Sequence, residues 1–134
     1  METTGIATGY GYRKKLGMPY QAAVDRLREE LQKQGFGILT EIDVKATLKK
    51  KLGVEFENYI ILGACNPPFA YQAIQSEQEI GLMMPCNVIV YEKQGMVYVS
   101  AVLPTAAMGM IENPKLKRIA QKAEIKLKAV VDGI

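Results

Sequence analysis

The chain has 134 residues, 49% hydrophobic and 23% charged, which suits a single globular domain over residues 1–134 with a core that needs no disulfide staples. A net charge of +3 is too small to argue for a nucleic-acid partner, and no apolar run approaches the roughly 18–20 residues of a membrane span. Histidine is absent, which removes Ser-His-Asp and Cys-His pairs, imidazole zinc ligands and any general base with an unperturbed pKa near neutrality.

Taken in chain order, Tyr10–Leu16 reads as a first strand. Met18-Pro19 opens a helix from Tyr20 to Gln34, with apolar Val24, Leu27 and Leu31 at helical spacing, Glu29 and Lys33 as an i,i+4 pair, and Gly35 as the stop. Phe36–Val44 is a second strand, followed by a basic stretch, Lys45–Lys51, to which no element is assigned. Asn58–Gly63 is β-branched and apolar enough to be a central strand. Asn66-Pro67 has the character of an N-cap and first helical position, opening a short helix through Ala70, Ala73 and Ile74. Cys86–Tyr91 and Met96–Leu103 form a hairpin around Glu92–Gly95. Asn113-Pro114 starts a last helix whose stripe is Leu116, Ile119, Ala123, Leu127 and Val130, expected to pack on the sheet. The order predicts an α+β fold with helices on one face of an antiparallel sheet.

The hairpin strands are apolar on both faces. Val88, Val90, Val97, Val99, Ala101 and Leu103 alternate with Ile89, Tyr91, Met96, Tyr98 and Val102. A sheet with helices on one side usually turns a polar face to water. The second apolar face therefore predicts a ligand cavity or, more commonly, a partner subunit, and a homodimer is the expected assembly.

The candidate chemistry lies in two Cys-Asn pairs, Ala64-Cys65-Asn66-Pro67-Pro68 and Met84-Pro85-Cys86-Asn87-Val88. Cys65 directly precedes the proposed N-cap, where unpaired backbone N–H groups favour an anion, so it reads as a reactive thiolate or an anion-binding corner, or else as a small buried residue. Cys86 enters an apolar strand, where desolvation disfavours charge and makes it the less reactive thiol. If strands three and four run antiparallel, both thiols fall at one end of the sheet; a parallel crossover would separate them. A shared site offers a soft-metal pair of thiolates, a redox disulfide, or a packed corner. Two thiols fall short of the four ligands of a structural zinc, so any metal would be held by Cys65 and Cys86 with further ligands from across a dimer, and the sequence leaves the cofactor unknown. Asn66 and Asn87 complete the candidate ligand-binding set, though both residues also serve as caps and turn formers.

These motifs carry a resemblance. Tyr59–Pro67 and Gly81–Glu92, with Ile42–Leu48 and Phe56, are similar to the prokaryotic family called "domain of unknown function 302", over about Tyr10 to Val131. The resemblance implies a TATA-binding-protein-like β-α-β(4)-α fold, dimers, and the antiparallel arrangement of the cysteine strands. It implies no activity.

Other candidates are plainer. Glu77, Glu79 and Glu92 have no identified partner, and Met83, Met84, Met108 and Met110 suit an adaptable pocket or ordinary packing. Lys45, Lys49, Lys50 and Lys51, with the lysines of the last helix, read as solvated faces, because no arginine-aromatic interleaving accompanies them. GxGxxG, GxxxxGK[ST] and CxxC are all missing. The start Met1-Glu2-Thr3-Thr4 has neither the basic nor the apolar stretch of a signal peptide, so reduced thiols in the cytoplasm are expected. The leading expectation is a small cytoplasmic dimer that binds a small-molecule ligand or reacts through Cys65 and Cys86. The alternative is a non-catalytic dimeric module in which both thiols only pack.

Overall fold

Proline and glycine set the limits of the first helix. Helix α1 (Tyr20–Lys33) follows Pro19 and stops before Gly35, whose φ of +81° is a left-handed conformation that suits glycine. Val24, Leu27 and Leu31 are all buried, as their spacing predicts. Lys33 differs from expectation: it pairs with Glu30 at 2.7 Å rather than with Glu29. Glu30 is 7% exposed, and Arg26 also reaches it at 3.4 Å, so both cations serve a carboxylate that would otherwise be buried alone.

The structure, a computed structural model, describes residues 2–134. Its strands are β1 (Ile6–Ala7), β2 (Gly11–Leu16), β3 (Gly37–Asp43), β4 (Tyr59–Cys65), β5 (Cys86–Lys93) and β6 (Met96–Val102). They form one sheet in the order β1-β2-β6-β5-β4-β3, antiparallel throughout, with a bulge in β3 between Ile38 and Thr40. The β5–β6 hairpin turns on Gln94 and Gly95, both at positive φ, a geometry whose twist matches that of the strands it joins.

The basic stretch after β3 is a helix, α2 (Val44–Leu52). The Asp43 side chain caps its start by accepting from Ala46 N at 3.0 Å, and Gly53 ends it at φ +68°. None of its residues is buried. Helix α3 (Pro67–Ser76) begins at the expected Asn66 cap, and a short 3-10 helix (Gln78–Met83) follows it. Two helices complete the chain, α4 (Pro104–Ala107) and α5 (Pro114–Asp132).

One face of the sheet carries the core. Leu62, Val88, Val90 and Val99 are buried there against Leu27 and Leu31 of α1 and Leu127, Val130 and Val131 of α5. The α5 stripe does not all meet the sheet as expected. Leu116 and Ile119 instead join Ala73 and Ile80 in a second cluster with Met83, Met84 and Met108 at its edge. The reason is that α3 and the 3-10 helix occupy the space beneath the first turns of α5. At its far end α5 is tied to β2: Tyr12 donates its hydroxyl to Asp132 Oδ1 at 2.9 Å, and buried Lys14 donates to the carbonyls of Asp132 and Ile134.

The opposite face is lined by half-buried aromatic residues. Tyr59, Tyr91 and Tyr98 lie directly opposite one another on adjacent strands and stack, with centroids 5.6 and 5.1 Å apart. Phe56 extends the row at one end, and the Arg13 guanidinium lies 5.6 Å from the Tyr98 ring at the other. Among the described residues, no helix is long and apolar enough to cross a membrane.

Candidate functional site

Antiparallel pairing of β4 and β5 sets Ala64 opposite Cys86, so both cysteines fall at one end of the sheet. Cys65 is the last residue of β4, two residues beyond the end expected for that strand, and Cys86 is the first of β5. Both are free thiols with limited exposure. Burial, and then the neighbouring Cys65, push the Cys86 thiol up from 9.0 to about 11.

The helix start beside Cys65 is already satisfied. Pro67 and Pro68 have no N–H, Phe69 N is bonded to Asn66 Oδ1 at 3.5 Å, and Ala70 N is bonded to Asn66 O at 2.9 Å. The donors expected to favour an anion at Cys65 are therefore missing or engaged. Asn66 acts as a cap, and its amide also donates to Gln34 O at 3.5 Å.

A cavity of about 50 Å³ lies at this end of the sheet. Ala64 and Cys86 line it from the sheet, Phe69 and Ala73 from α3, and Leu116 and Ile119 from α5. Cys65, Asn66, Pro85, Met84 and Met108 are also in its lining, which contains no acidic or basic side chain. The space is about a third of the ~150 Å³ that admits a benzene-sized molecule. An ion or a few waters fit without rearrangement.

Three of the four expected site residues, Cys65, Asn66 and Cys86, border one cavity, but Cys65 follows core-facing Ala64, the partner of Cys86, so strand alternation turns the two thiols to opposite faces of the sheet. Asn87 does not border it: it is exposed and pairs across the ladder with Gly63. Successive strand residues point to opposite faces, so Asn87 turns away when Cys86 turns in. Glu92 accepts from Asn58 Nδ2 at 2.8 Å and Glu77 from Asn113 Nδ2 at 3.2 Å, and neither lines the cavity. Pro85, joined to Met84 by a cis peptide bond, crosses close over β4; a Cβ on Gly63 would lie 2.7 Å from its Cγ. Among the described residues, no group of three or more His, Cys, Asp or Glu side chains could hold a metal ion.

The family described as "Domain of unknown function DUF302" matches residues 12–134. The chain belongs to this family. A crystal structure of the uncharacterized conserved protein DUF302 from Bacillus stearothermophilus superposes with a TM-score of 0.87 at 31% identity, covering 92% of this chain and 97% of that one. No curated protein matches. For this DUF302 domain the likeness supports the α+β fold with its antiparallel sheet and assigns no chemistry to the cavity.

Proposed function

We propose that this DUF302 protein binds a small ligand in the cavity between α3, α5 and the Cys65/Cys86 end of the sheet, with the Cys86 thiol facing it and Cys65 at its border. The observation that carries the reading is that both cysteines of the chain border one small cavity, in walls that are otherwise apolar apart from Asn66. Free thiols suit a reducing compartment, so the protein is proposed to work in the cytoplasm. Native alkylation tests the reading. A small reagent such as methyl methanethiosulfonate should modify both cysteines in the folded chain, Cys86 more slowly because it remains protonated. Modification only at the rate of unfolding would support the alternative, a module in which both thiols pack.

The stacked tyrosine face supports a second proposal, that a second copy of the chain covers the open side of the sheet. Phe56 and Ile42 remain 46% exposed there, beside half-buried Tyr59, Tyr91 and Tyr98. Sedimentation at micromolar concentration should give a dimer, and Tyr91→Lys should shift it to monomer. A wild-type monomer would overturn this assembly.

A further inference from the structure

We infer that the cavity takes the alkyl end of a small amphiphilic anion, whose charged head lies in the adjoining cleft formed by α4, the loop after it and the start of α5. The inference rests on the reading of the cavity as a ligand site, and it names the class of ligand.

The cavity selects an apolar group. Its lining includes Phe69, Ala73, Leu116 and Ile119 and no acidic or basic side chain. Asn66 supplies its one side-chain amide, and both ends of that amide are engaged: Oδ1 accepts from Phe69 N, and Nδ2 donates to Gln34 O. A buried water needs about two to four polar partners, which these walls do not offer. An alkyl chain needs none. At ~10–15 Å³ for each water-sized group, about 50 Å³ has room for roughly three to five chain carbons.

A second space supplies what the first lacks. A cleft of about 570 Å³ is lined by Met108, Leu116 and Ala120, which also line the cavity, so the two adjoin along one side of α5. The rest of the cleft includes Thr105, Glu112, Asn113 and Lys117. Its charge balance is positive. Lys115, Lys117 and Arg118 are exposed on the first turns of α5, where the positive end of the helix dipole adds to them. Glu112 opposes them, whereas Glu77 and Glu124 already accept from Asn113 and Thr105. An anionic head is therefore favoured over a cationic one. Met108 belongs to both linings and is only partly buried, and its unbranched side chain can yield as a chain passes.

The test titrates the reduced protein, with its methionine methyls labelled for NMR, with straight-chain carboxylates. Butanoate, pentanoate and hexanoate should shift Met84 and Met108 and leave Met96, at the far end of the β5–β6 ladder, unmoved. Affinity should rise about four-fold with each added carbon. Hexylammonium, with the same chain and the opposite charge, should bind more weakly than hexanoate, and Lys117→Glu should narrow the gap. Hexanoate should also slow modification of Cys86 by methyl methanethiosulfonate and leave that of Cys65, turned to the other face of the sheet, unchanged. Ala70 lies three residues before Ala73 on the cavity side of α3 and is only partly buried. Ala70→Leu should weaken hexanoate about 15-fold, the loss of two buried carbons. Circular dichroism confirms its folding; if it does not fold, the chain-length series in wild type decides. The inference is overturned if affinity does not rise with chain length, if hexylammonium binds as well as hexanoate, or if folded Ala70→Leu binds hexanoate as wild type does. Native reaction at Cys86 without carboxylate binding would remove the amphiphile and leave the ligand cavity. Inert thiols without carboxylate binding would remove both.

Discussion

Replacing Leu127 with alanine is expected to cost about 2–5 kcal/mol of stability. Leu127 is 1% exposed and sits where α5 meets both the sheet and α1, so its missing atoms leave a void that three elements must collapse to fill. The loss should appear in urea as a lower midpoint with an unchanged slope, because the surface exposed on unfolding hardly changes. Ile125 is the control, on the same helix but 69% exposed; its alanine variant should stay within about 0.5 kcal/mol of wild type. Equal losses at the two positions would show that α5 does not pack as described.

The second large effect is a dependence on pH. Burial keeps Cys86 protonated up to about 11 in the folded chain, against 9.0 for an ordinary thiol. Between those values the native state holds a proton that the unfolded chain releases, so this contribution is intact below pH 9 and is lost as pH climbs through 11. The separation corresponds to on the order of 2–3 kcal/mol. Tyr12, Tyr20 and Tyr59 are also raised, with burial the first cause, but they contribute equally to wild type and to Cys86→Ala. In metal-free, reduced protein the unfolding free energy of wild type should therefore fall more steeply between pH 9 and 11 than that of the variant. Parallel curves would mean that Cys86 ionises as freely in the fold as outside it.

Most of the fold was legible because its signals are local. Pro19 and Gly35 bound α1, Asn113-Pro114 starts α5, and alternating apolar residues mark β5 and β6. Helix α2 was missed because Lys45–Lys51 lacks an apolar stripe, and its helix stays exposed. Its caps, Asp43 and Gly53, were present in the sequence as a fainter signal. The site was legible only in part. Placement of both cysteines at one end of the sheet depends on the direction of β5 against β4, a long-range property that neither motif encodes. Placement of Met108 against the cavity depends on how α4 leads into α5, which no periodicity announces. Exclusion of Asn87, by contrast, followed from strand alternation alone and was available from its neighbour Cys86.

The two margins of the sheet bear on solubility. An open sheet offers rows of unpaired backbone groups on which other chains can add strands. Here β1 pairs with only Arg13 and Tyr12 of β2, and Glu2 continues the cover by exchanging bonds with the backbone of Lys15. At the other margin the β3 bulge interrupts the regular spacing that an added strand would need. Growth by strand addition is thereby discouraged on both sides. The bulge therefore matters most where Leu39 and Ile42 leave apolar surface exposed on the outermost strand β3, the place where an added strand would otherwise find side chains to pack against.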